Sequence, residues 1–82
     1  MDRTHIIGMI ATEIRDILPQ LSDQSIGPDD VMADLGLDSI ERSEVLLTVL
    51  EKMNLKVPMT HVHGPANIGE LADLLANLHS AA

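Results

Sequence analysis

Cysteine is absent from the 82 residues, which excludes disulfides and thiolate metal sites and fits a reducing, cytoplasmic setting. Phe, Tyr and Trp are absent too, so the chain has no platforms for stacking nucleic-acid bases and none of the usual aromatic interface anchors. Basic residues are scarce: five Lys and Arg against thirteen Asp and Glu give 5 − 13 = −8. That charge repels phosphate backbones and anionic lipid, so neither nucleic acid nor membrane is expected as a partner. It favours proteins with basic docking patches and salt-sensitive encounters with them. No apolar run approaches the length of a membrane span, and the opening MDRTHIIGMIATEIRD is interrupted by charges too often for a signal peptide. A cytoplasmic, soluble protein is the expectation.

A chain of 82 residues points to one domain over 1–82. At this size folding buries only roughly 60% of the unfolded chain's surface. The core has to come from Ile, Leu, Val, Ala and Met, an adaptable set because Met fills irregular space. Ile7, Ile10, Ile14, Ile17 and Leu21 recur at helical steps, and Pro19 predicts that the regular helix stops around Leu18. Residues 19–38 (PQLSDQSIGPDDVMADLGLD) form a long connection of the kind that is usually functional, pinned by Ile26, Val31, Met32, Leu35 and Leu37. A second helix is expected from about Ser39 to Met53. A third is expected from Asn67, where Asn67 and Glu70 have capping-box spacing and Ile68, Leu71, Leu75 and Leu78 form a buried stripe. The fold class is all-α, a bundle of three main helices with one short helix around residues 59–63.

At 100° per residue the second helix separates into two faces. Val45, Leu46, Val49, Leu50 and Met53 make the core stripe, and Arg42 falls toward that side. Ile40, Glu44, Leu47 and Glu51 share the opposite face, with Glu41 beside them. Isolated exposed aliphatics are ordinary. Two of them among carboxylates also make a docking strip, in which charge steers a basic partner and Ile40 and Leu47 supply desolvated contact. Ser39 lies at the mouth of the strip, where backbone N–H groups favour an anion such as a phosphodiester. The plainer reading is that Asp38-Ser39 serves only as an N-cap.

The run LGLDSI, followed by a helix with Glu44 and Leu47, resembles the attachment segment of acyl carrier proteins, and the resemblance extends over nearly the whole chain. It implies an acyl-carrier-type fold and a covalent 4′-phosphopantetheine on Ser39, attached from coenzyme A by a phosphopantetheinyl transferase. It also implies a non-catalytic carrier, acting as a monomer. Asp38 matches the aspartate that meets the transferase's metal ion, and Ile40, Glu41, Glu44, Leu47 and Glu51 match the partner-facing helix. DSIERSE is similar to the DSI-x-R-x-E pattern of modular polyketide synthase carriers. With LKVP and NIGEL, the chain looks most like free-standing carriers of trans-acyltransferase polyketide systems, in particular the donor carriers of β-branching cassettes. These hold malonyl or acetyl groups and imply as partners an acyltransferase, a ketosynthase or decarboxylase, and an enzyme resembling HMG-CoA synthase. Leu37 stands where peptidyl carriers usually have a second glycine. MTHVHG lacks the carboxylates common on the family's short helix, so no partner contact is carried over to it.

Other chemistry finds little support. His61 and His63 are two apart, with no cysteine and no obvious carboxylate beside them, and read as connector residues rather than metal ligands. There is no G-x-S-x-G elbow, EF-hand loop or Gly-rich phosphate loop. The alternatives are a carrier in fatty-acid or another acyl-transfer pathway, and an unmodified acidic helical adaptor that binds through the Ile40/Leu47 strip.

Overall fold

Asp2 opens the first helix by accepting the His5 N–H at 2.8 Å, and α1 then runs Arg3–Ile17 in the computed structural model, which describes residues 2–81. Leu18, just before Pro19, leaves the helical region, as pre-proline crowding requires. Pro19–Leu21 form a 3₁₀ turn that the sequence reading treated as plain loop. After the long connection come α2, Ser39–Lys52, and α3, Ile68–Ala81. The short fourth helix expected around 59–63 is a single 3₁₀ turn, Met59–His61, because Pro58 before it and Gly64-Pro65 after it leave room for little more.

The buried face of α1 is centred on Ile6, Ile10 and Ile14, with Ala11. Ile7 and Ile17, expected in the core, are half-buried at its margin. The shift arises because α1 packs against both α2 and α3, which widens its buried arc to take in Ile6. Val45, Leu46, Val49, Leu50 and Met53 are buried as the helical projection requires, as are Ile68, Leu71 and Leu75, while Leu78 is half-buried near the chain end. No Cα of α2 comes within 8 Å of one of α3. The space between those helices is closed by the connections, with Val62 and Leu37 buried in it.

Both ends of this framework are capped locally. Asn54, at φ 55°, closes α2: the Leu55 N–H donates to the Leu50 carbonyl at 2.9 Å and the Asn54 N–H to that of Glu51 at 3.1 Å. At the start of α3, Asn67 Oδ1 accepts the Glu70 N–H at 2.8 Å, but the Glu70 carboxylate takes the Ala66 N–H instead of that of Asn67. The expected capping box is therefore half formed. Long-loop carbonyls satisfy the remaining donors, Asp30 O with the Ile68 N–H (3.0 Å) and Pro28 O with the Gly69 N–H (2.8 Å). This staple fixes the long connection to α3.

Gly69 leaves no room for a side chain there. A Cβ would stand 2.9 Å from Pro28 Cβ and 3.0 Å from Pro28 O. Gly69→Ala is therefore expected to destabilise the protein by about 1–3 kcal/mol through overpacking, despite alanine's better helix propensity. Urea denaturation checks this; a more stable Gly69→Ala protein would show that the staple yields freely.

Glu13 is the one buried charged side chain among the described residues, and it accepts a hydrogen bond from half-exposed Lys52, tying α1 to α2. The hydrogen bond to Glu13 raises the Lys52 pKa. Because the folded-state value is raised, this contribution is complete below the ordinary lysine range and is lost only as pH climbs through the raised value. Around neutral pH the link is constant.

Candidate functional site

Residues 31–37 deliver the corner. Their backbone forms a tight turn in which the Leu37 N–H donates to Met32 O (3.2 Å) and the Gly36 N–H to Ala33 O (3.1 Å). Gly36 closes it at φ +106°, a left-handed conformation that side chains resist, and Leu37 plugs into the core. The chain then emerges at Asp38 in extended conformation and turns directly into α2.

Asp38 is the N-cap. Its Oδ1 accepts the Glu41 N–H at 2.8 Å, and Glu41 Oε1 accepts the Asp38 N–H at 3.1 Å, a reciprocal capping box. The sequence left open whether Asp38-Ser39 as a pair was merely a cap. The geometry separates the two residues: Asp38 caps, and Ser39 is the first helical residue, exposed, its hydroxyl without a hydrogen-bond partner among the described residues. The Ser39 carbonyl accepts the Ser43 hydroxyl at 3.0 Å. The Ser39 and Ile40 N–H groups precede the first intrahelical bond, Arg42 N–H to Asp38 O at 2.9 Å, and have no partner among the described residues. An exposed hydroxyl beside two open donors at the positive end of a fourteen-residue helix fits a phosphodiester.

Below this corner lies the strip. Ile40 is 72% exposed and Leu47 51%, the two exposed large hydrophobic residues among those described. Glu44 and Glu51 are exposed on the same face. Glu41 differs from them: it is half-buried and its carboxylate is folded back onto the Asp38 N–H, so it contributes to the cap as well as to the local charge. Ile40, Ser43, Glu44 and Leu47 form one wall of an open groove whose other wall is Met59 and His63.

Met59 and His63 went unnoticed as groove residues in the sequence. No local pattern marks them, because their place depends on how the second connection folds back over α2. His61 is exposed, and no group of three His, Asp or Glu among the described residues could hold a metal ion. No described helix is long and apolar enough to cross a membrane. Arg42 is half-buried on the core side of α2, as the projection placed it, beside Val31, Met32, Leu46 and Leu71.

Residues 9–75 match a family described as the phosphopantetheine attachment site. The chain is 40% identical over 75 residues to the polyketide biosynthesis acyl-carrier-protein AcpK of Bacillus subtilis, covering 92% of each. It is 38% identical over 63 residues to a segment making up 2% of the hybrid PKS-NRPS synthetase thnA of Trichoderma harzianum. Among solved structures it superposes, with a TM-score of 0.91 and 38% identity, on a chain from the complex of the curacin biosynthetic pathway HMG synthase with its acetyl donor-ACP. That match covers 94% of this chain and 99% of the other.

Proposed function

Since the chain belongs to the phosphopantetheine-attachment family of acyl carrier proteins, we propose that Ser39 is its attachment point and that it delivers malonyl or acetyl thioesters in polyketide biosynthesis, as donor to an HMG-CoA synthase-like enzyme in β-branching. The single observation that carries the assignment of Ser39 is its exposed hydroxyl, released from capping by Asp38 and set at the helix N-terminus. When bound, the arm supplies a terminal thiol that holds acyl groups as thioesters.

The chain's own residues supply position and recognition. The Asp38 and Glu41 capping box fixes the corner, and the open N–H groups of Ser39 and Ile40 stabilise negative charge beside Oγ. With one carboxylate oxygen engaged by Glu41, Asp38 keeps the other for the metal of the phosphopantetheinyl transferase. That enzyme removes the hydroxyl proton, so Ser39 needs no basic neighbour, and the protein itself is a non-catalytic monomer. Ile40, Glu44, Leu47 and Glu51 offer one acidic, partly apolar landing face to successive partners, namely an acyltransferase, a decarboxylase or ketosynthase, and the synthase. Sharing one face requires each contact to be brief, which suits charge steering with little desolvated area.

Incubation with coenzyme A and a permissive transferase should add the mass of one phosphopantetheine to the intact protein. An unchanged mass would sink the carrier assignment and leave the acidic adaptor. Glu44→Lys should leave stability within about 1 kcal/mol, as expected for an exposed charge, while slowing turnover with partner enzymes. Partner association should also slow as salt rises. An association rate for Glu44→Lys equal to that of the parent, with the same salt response, would remove Glu44 from the docking face.

A further inference from the structure

Five cations are spread over this acidic chain, and most of them are engaged. Arg3 pairs with Asp73 at 2.7 Å, Lys52 with Glu13, and Arg15 Nη2 donates to the Gln24 carbonyl at 2.9 Å. Lys56 is exposed on the second connection. Arg42 is different: it is half-buried, yet its guanidinium has no ion pair and no hydrogen bond among the described residues. Its nitrogens still reach solvent, unlike Arg15 Nε, which is buried without a partner, so Arg42 is a planar cation with open donors that an incoming anion can reach.

Its surroundings have the same sense. Arg42 lines a cleft between α2 and α3 with Leu46, Val62, His63, Asn67 and Leu71, and no residue of its lining is acidic, although thirteen of the 82 residues are. Asn67 spends its side-chain oxygen on the Glu70 N–H, which leaves its amide N–H₂ as a donor. His63 adds a ring nitrogen. The rest of the lining is apolar, so screening of an anion held there would come from the open side alone. The cleft is partly open to solvent and its inner space is ≈ 40 Å³. On the same measure one water needs roughly 10–15 Å³, so the space admits a small polar head such as a carboxylate.

Arg42 stands three residues after Ser39, so the two are neighbours on α2, within one helical turn of about 5.4 Å. Resting on the carrier assignment above, we propose that the Arg42 cleft holds the free carboxylate of a carboxyacyl group, such as malonyl, when the arm folds back from Ser39. Guanidinium and carboxylate match in a bidentate, charge-assisted pair, which an acetyl group lacks the oxygens to form. The cleft thereby separates the carboxylated cargo from its decarboxylated product. The first rests against the carrier and the second swings free.

The test uses the protein loaded by a permissive transferase with either malonyl- or acetyl-pantetheine from the corresponding coenzyme A thioester, with loading verified by intact mass. Two-dimensional ¹H–¹⁵N spectra should show the Arg42 Nε–H and Asn67 Nδ2 resonances shifted by the malonyl form and unmoved by the acetyl form. In Arg42→Gln the malonyl-specific shift at Asn67 should be lost. Equal shifts for both cargoes, or none for either on fully loaded protein, would overturn the cleft assignment while leaving the carrier reading intact. A chain that accepts neither group would overturn both. The comparison of the two cargoes is made in the parent sequence, so it stands whether or not Arg42→Gln folds.

Discussion

Ser39→Ala is expected to abolish phosphopantetheinylation completely while leaving the fold and its stability almost untouched. Both halves of that outcome follow from the corner's geometry. Ser39 is not the N-cap; Asp38 is, through the 2.8 Å bond to the Glu41 N–H. The Ser39 hydroxyl has no partner among the described residues, its side chain is exposed, and alanine is the best helix former for the position. A stability change within about 0.5 kcal/mol is expected for such a surface site. Asp38→Ala behaves in the opposite way: losing the cap costs about 1 kcal/mol and loosens the turn that presents Ser39. Intact mass after transferase treatment reads the first effect and thermal or urea unfolding reads the second. Ser39→Ala protein that still gained one phosphopantetheine would move the attachment elsewhere; a large loss of stability would return Ser39 to a capping role.

The largest effect on folding is expected from Ile10→Ala. Ile10 is fully buried on the face of α1 that meets both other helices. Truncating such a side chain to alanine costs about 2–5 kcal/mol, the spread reflecting how far the surroundings collapse. At about 0.05–0.15 kcal/mol per residue the whole protein has only about 4–12 kcal/mol to lose. The urea midpoint should fall by roughly 1 M or more with the slope of the transition unchanged. Ile7→Ala, three residues earlier in the same sequence stripe but half-buried, should cost distinctly less. Equal losses at the two positions would mean that the buried arc of α1 is misplaced. This contrast bears on the proposed function because α1 carries none of the proposed docking strip. It packs against α2, so damage to it is expected to disturb the corner at Ser39 without altering any proposed partner contact.

The fold was largely legible in the sequence because its helices announce themselves locally. The spacing of Val45, Leu46, Val49, Leu50 and Met53 selects one face of α2, and all five are buried. The same spacing placed Ile40, Glu44, Leu47 and Glu51 on the outside, and the two aliphatics of that set are the exposed ones. Charge balance and the missing aromatics shaped the expectation about partner classes without any structure. Resemblance in LGLDSI supplied the family and the arm, which no composition or period contains.

What the sequence determined by itself is therefore everything carried by neighbours along the chain: helix extents, the inward and outward faces of α2, the Asp38-Ser39 corner and the acidic surface. Tertiary structure alone decided that Ile6 outranks Ile7 in the core. It also decided that Pro28 and Asp30 staple the long connection to α3, and that Met59, His63 and Asn67 come to stand beside α2. The physical reason is one of range. Helical periodicity and capping are set within four or so residues, whereas a wall of a groove or an unpaired Arg42 depends on which distant segments arrive beside it, and on which acceptors those segments have already used.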